Sequence, residues 1–123
     1  IYFKSVLAFA KSPVGMRMRN AFLNGTLKRE QPFVMSVPAS EADPSYPEDE
    51  TILVQGIIDA WFPEGDEIVL VDYKTDRVRE AGELKKRYEK QLVYYQQALE
   101  RTTGKKVKEK IIYSLALDEE LVL

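Results

Sequence analysis

The chain contains no cysteine and no histidine. Without cysteine, these residues can form no disulfide, zinc-thiolate centre or iron-sulfur cluster, and the composition fits a cytoplasmic, reducing origin. Without histidine, neither an imidazole base nor an imidazole metal ligand can come from this stretch. Long apolar runs are missing too. None approaches the ~20 residues of a membrane-crossing helix, and no signal-peptide pattern is present. There is no glycine-rich phosphate loop and no internal repeat. The first residue is not Met, and the chain starts inside an apolar helical pattern, IYFKSVLAFAKS. It therefore reads as a fragment of a longer protein. At 123 residues, one domain with a modest core is expected over 1–123.

What the chain does have is segregated charge beneath a net charge of only −2. Residues 1–29 carry six Lys or Arg and no acid, residues 30–72 carry eleven Asp or Glu and no base, and residues 74–110 carry twelve bases against six acids. Basic flanks could hold a polyanion while the acidic centre takes up metal. For the acidic loop 41–50, a solvated face is the expected reading.

The centre is Gln55 to Asp76, QGIIDAWFPEGDEIVLVDYKTD, in which Asp59, Asp72 and Lys74 are set in strand-like apolar sequence. Gly65-Asp66 fits a two-residue type II′ hairpin turn. Opposing Glu64 to Glu67 then sets Asp59 across from Asp72 and Ile57 across from Lys74, with the three charges on one face. Two adjacent aspartates repel and resist burial unless compensated. A magnesium ion would compensate them, and Lys74 beside it would orient water or neutralise charge in a phosphorane-like transition state. From spacing alone, a structural Asp-Lys-Asp ion network remains equally open.

Around this hairpin, residues 1–24 read as helix, broken at Ser12-Pro13 and stopped at Gly25. Lys11, Arg17, Arg19, Lys28 and Arg29 are candidates for phosphate contact, with ordinary surface charge as the alternative. KREQPFVMSVPA reads as a strand with Phe33, Met35 and Val37 on one face and Glu30 at its start. Residues 39–50 read as a mobile loop. A helix is expected from about Glu83 to Thr103, with Leu84, Tyr88, Leu92, Tyr95 and Leu99 as its buried stripe and Lys85, Lys86, Arg87 and Lys90 opposite. Gln91 and Tyr95 lie one turn apart beside that stripe. Val107 to Leu117 reads as a strand, with a short terminal one after Asp118 to Glu120. The expected fold class is α+β: a sandwich of helices over a small mixed sheet with a central β-hairpin.

GIID (Gly56 to Asp59), DYKTD (Asp72 to Asp76) and QLVYY (Gln91 to Tyr95), in that order, resemble the RecB-like branch of the PD-(D/E)XK nucleases. VQGIIDAWF, LVDYKTDRV and the preceding KREQPF look like the nuclease domain at the C-terminal end of the AddA subunit of AddAB-type helicase-nucleases, over nearly the whole chain. The resemblance implies a restriction-endonuclease-like core and a Mg2+-dependent DNA exonuclease, with Mn2+ able to substitute, acting in double-strand break repair and recombination. Asp59 and Asp72 would be metal ligands, joined by the main-chain carbonyl of Tyr73. Lys74 would be the catalytic lysine, and Gln91 and Tyr95 the helical motif that supports the site. Glu30 is a weaker match as an additional acid. The implied partners are single-stranded DNA fed by a helicase motor and an AddB-like subunit. The family's usual upstream metal-binding histidine would lie before Ile1, and no iron-sulfur cluster is implied. A non-catalytic DNA-binding or docking module and a stand-alone RecB-like exonuclease are the alternatives.

Overall fold

Apolar residues alternate along the middle of the chain and recur at helical spacing toward its C-terminal third, so two strands must pack beneath a long helix. The computed structural model describes Tyr2 to Leu123 and realises that pattern. Ile1, included in the predicted first helix, lies outside the described residues. In chain order the elements are α1 (Tyr2–Lys11), α2 (Pro13–Leu23), β1 (Lys28–Pro38), α3 (Ala39–Ala42), β2 (Thr51–Glu64), β3 (Glu67–Lys74), α4 (Ala81–Thr103), β4 (Val107–Ser114) and β5 (Glu119–Val122). The strands form one sheet in the order β1-β2-β3-β4-β5. All neighbours are antiparallel except β3 and β4, which run parallel and are joined by α4. It is the small mixed sheet of an α+β sandwich.

The boundaries follow local chemistry. Ser12 caps α2 by accepting the Gly15 N–H at 3.0 Å, and Pro13 occupies the first helical position. Gly104 ends α4 in the left-handed conformation with φ 70°. Gly65 has φ 64° while Asp66 stays at negative φ, as a type II′ turn requires, and Glu64 faces Glu67. The stretch 39–50, expected to be loop throughout, begins with the one-turn α3 and is closed by the Ala39 N–H donating to the Glu50 carbonyl at 2.8 Å. Residues 41–50 are all exposed, in agreement with a solvated acidic face. The last predicted strand stops at Ser114, three residues early, and the chain turns at Asp118, φ 53°, into β5.

The sheet has a core on each face. One packs Ala60, Phe62, Val69, Val71, Ile111 and Tyr113 against Val14, Met18 and Ala21 of α2. The other packs Ile58, Ile68, Leu70 and Ile112 against Leu84, Leu92, Tyr95 and Leu99 of α4. Fully burying such a side chain stabilises the fold by roughly 1.5–3 kcal/mol. Within β2, Ile58 serves the α4 core while Ala60 and Phe62 serve the α2 core, so the strand changes face at Asp59. The same change occurs along β1 and the residue before it, where Leu27 packs on the α2 side and Phe33 on the α4 side, with Glu30 at φ 51° between them. The β1–β2 ladder accordingly pairs Arg29 with Ala60 and Gln31 with Ile58 but skips Glu30 and Asp59.

Candidate active site

That kink opens a fork. The β2–β3 ladder ends at Ala60 opposite Val71, after which β2 leaves with β1 while β3 continues beside β4. The two pairings expected beyond that point, Asp59 with Asp72 and Ile57 with Lys74, are therefore not part of the ladder. Ile57 pairs with Pro32 instead and is 58% exposed. Asp59 stands at the fork, where its Oδ2 accepts the Tyr73 N–H at 2.9 Å in place of a ladder bond. Along an extended strand, the N–H and C=O of one residue point to the same side and those of its neighbours to the other. The Lys74 carbonyl accepts the Leu115 N–H toward β4, so the Tyr73 carbonyl faces the gap beside Asp59.

Asp72 is buried, 2% exposed, and its carboxylate meets that of Asp59. Burial pushes the Asp72 carboxyl up to about 6, with Lys74 opposing the rise and Asp59 adding to it. Lys74 Nζ lies 2.9 Å from Asp72 Oδ2. The pair is in ionic contact but poorly aligned, and Oδ2 receives no hydrogen bond of good geometry. From α4, Gln91 Oε1 accepts from Lys74 Nζ at 3.0 Å. Tyr95, 7% exposed, packs edge-to-face on Phe33 with ring centroids 5.4 Å apart. Its phenol is held above the usual range, mainly by burial and then by Asp72 and Asp59. A Cβ on Gly56 would come within 3.1 Å of the Phe33 ring and 3.3 Å of the Tyr95 ring, which explains the glycine preceding Ile57-Ile58-Asp59.

The structure thus brings Asp59, Asp72, Lys74, Gln91 and Tyr95 to one end of β3. Glu30 does not join the two carboxylates. It is exposed at the lip of a cleft of about 810 Å³ that is also lined by Lys28, Arg29, Asp59 and Tyr73. Among the described residues, no group of three acids gathers around a common point. Arg17, a candidate phosphate ligand by sequence, is instead engaged with Glu64 at 2.7 Å and Glu109 at 2.8 Å. Two residues have a place at the site that was not expected from the sequence, and Tyr88, expected in the buried stripe, is only half-buried. Tyr88 lies under Lys74, and Asp76 accepts the Tyr88 hydroxyl. The helical spacing of Tyr88, Gln91 and Tyr95 was the available signal, since it sets all three along one side of α4.

The donor set fits a hard divalent cation. Two converging carboxylates, one of them with a buried oxygen lacking an aligned donor, face a main-chain carbonyl, and oxygen ligands suit magnesium or manganese.

The family profile of the PD-(D/E)XK nuclease superfamily matches residues 9–121. The chain belongs to the PD-(D/E)XK nuclease superfamily. Nucleases of this superfamily generally use divalent metal ions. The chain is 44% identical over 117 residues to an ATP-dependent helicase/nuclease subunit of Clostridium botulinum (strain Loch Maree / Type A3). It is 41% identical over 117 residues to the protein of the same name from Clostridium kluyveri. Each match covers 92% of this PD-(D/E)XK chain but only 9% of the relative. No described helix is long and apolar enough to cross a membrane.

Proposed function

We propose that this domain is the magnesium-dependent DNA exonuclease of a cytoplasmic helicase-nuclease acting in double-strand break repair, with residues 1–123 as one nuclease domain of a longer chain. The observation that carries the reading is the convergence of Asp59 and Asp72 at the fork with Lys74 in contact. The names of the relatives, helicase/nuclease subunits, support a helicase in the same assembly. Single-stranded DNA as the form delivered and an AddB-like second subunit as partner belong to the proposal.

Asp59, Asp72 and the Tyr73 carbonyl would hold the cation, with Mn2+ able to replace Mg2+. Bound there, the ion would supply an activated water and charge neutralisation at the phosphoryl oxygens. The protein's own part is positional. Asp59 ties β2 to the Tyr73 backbone and so fixes the fork. Lys74 keeps a positive charge beside Asp72, where it can orient the attacking water or meet charge developing on phosphate. Gln91 holds the Lys74 ammonium, and Tyr95 walls the site from the α4 side.

Cleavage of end-labelled single-stranded DNA by the full-length protein tests this. Magnesium-dependent hydrolysis should be lost by about 10²–10³-fold in Lys74→Ala while DNA is still bound. Undiminished cleavage by Lys74→Ala would refute the assignment. DNA binding without cleavage by the wild type would favour a non-catalytic docking module.

A further inference from the structure

Lys74 is held from three directions, and only two of them belong to the residues already assigned. Its Nζ lies 2.9 Å from Asp72 Oδ2, 3.0 Å from Gln91 Oε1 and 4.0 Å from the centroid of the Tyr88 ring. The ring is itself fixed at its far end. Tyr88 Oη donates to Asp76 Oδ2 at 2.7 Å, and Arg87 Nη1 reaches the same oxygen at 3.0 Å. Asp76 follows Lys74 by two residues, just where the chain leaves β3, and Tyr88 sits one turn before Gln91 on α4. We infer that Tyr88, locked by Asp76, is a positioning residue that sets the direction of the Lys74 ammonium toward the scissile phosphate.

The chemistry explains each choice of residue. A lysine ammonium is a point charge on a flexible stem, so its position must be imposed from outside. An aromatic face attracts it without taking a proton from it and without competing as a charged acceptor. Gln91 adds a neutral acceptor on another side. With these three contacts in place, the Lys74 side chain is only 15% exposed, so few directions remain from which a phosphate could reach its ammonium. The phenolic bond to Asp76 fixes the far end of the ring beneath Lys74, and Arg87, itself exposed, holds Asp76 in place. Asp76 is held below the usual carboxylate range mainly by the Tyr88 hydroxyl, and then by Arg87. The bond therefore persists across neutral pH. A ring serving only as core filler would have no use for this anchored hydroxyl or for the ammonium above its face.

The inference rests on the nuclease reading, and steady-state cleavage of labelled single-stranded DNA by the full-length protein at saturating magnesium separates the two. Tyr88→Leu removes the ring but leaves apolar volume, and should lower kcat about 10-fold with KM for DNA and the half-saturating magnesium concentration within about twofold of wild type. Tyr88→Phe keeps the ring face against Lys74 and loses only its anchor at Asp76, so kcat should fall by no more than about threefold, the share of the positioning that the anchor supplies. Because Tyr88→Phe is close to isosteric, a folding defect in Tyr88→Leu does not blunt the comparison. The inference is overturned if Tyr88→Leu retains wild-type kcat, if the two variants fall together, or if the loss lies in KM or in magnesium dependence. A wild type that shows no metal-dependent cleavage sinks the nuclease reading itself, and this inference with it.

Discussion

Asp59 Oδ2 accepts the main-chain N–H of Tyr73 at 2.9 Å, so a side chain replaces the ladder bond where β2 and β3 part. One aspartate thereby both shapes the fork and presents its carboxylate to Asp72. The two roles separate by substitution. Asp59→Asn keeps an acceptor for Tyr73 and should leave thermal stability near wild type while abolishing cleavage. Asp59→Ala should abolish cleavage and also cost about 1–2 kcal/mol, because the Tyr73 N–H loses its partner. Chemical denaturation of the two variants side by side checks the difference.

Asp72 makes the metal-free protein sensitive to pH. Its carboxyl is raised from 3.8 to about 6, chiefly by burial. For an acid raised on folding, the folded state binds the proton more tightly than the unfolded chain. The stabilising effect is complete below pH 4 and is lost as pH rises to 6, at a cost on the order of 3 kcal/mol. Asp72→Asn removes this dependence. In chelator, Asp72→Asn should be at least as stable as wild type at pH 7 and show a flatter melting temperature between pH 4 and 6.

Gly56 faces the Phe33 and Tyr95 rings at distances that leave a side chain little room. Gly56→Ala requires this edge-to-face pair to shift by a few tenths of an ångström, and should destabilise the fold by about 1 kcal/mol. A thermal melt measures the first effect, and a fall in kcat larger than the change in KM would show that the Tyr95 wall moved with it.

Arg17 illustrates what sequence could not say. Read alone, it is one of several cations on a basic N-terminal segment, but it bridges Glu64 at the hairpin and Glu109 on β4. Its half-exposed network, which Lys108 also joins through Glu64 at 3.1 Å, is structural. Arg17→Met should cost about 1 kcal/mol and leave the salt dependence of DNA binding unchanged. A reduced salt slope would return Arg17 to the phosphate-binding set.

The hairpin and the long helix were legible because each is written in local terms. Gly65 supplies the turn, and the register from Glu64 to Glu67 carries as far as Ala60 and Val71. The stripe through Leu84, Leu92, Tyr95 and Leu99 shows the face of α4. What was hidden is the change of face at Asp59. Ile58, Ala60 and Phe62 are spaced two apart, as one face of a regular strand would be, yet Ile58 packs against α4 and the other two against α2. Period-two alternation reports burial and cannot distinguish the two cores of a sheet covered on both sides. The kink at Glu30, where a non-glycine residue takes φ 51°, carries no sequence signal either. The simple ladder therefore placed Ile57 opposite Lys74, whereas the carboxylates actually meet through the fork that the kink creates.

The central claim is that Asp59 and Asp72 together make a divalent-cation site. Isothermal calorimetry of the full-length protein with Mn2+ and Mg2+, wild type beside Asp59→Ala and Asp72→Ala, tests it most directly. Saturable binding by the wild type, weakened at least about 10-fold by either substitution, is the predicted result. Equal binding by all three proteins, or none by the wild type at millimolar metal while DNA is still bound, would contradict it.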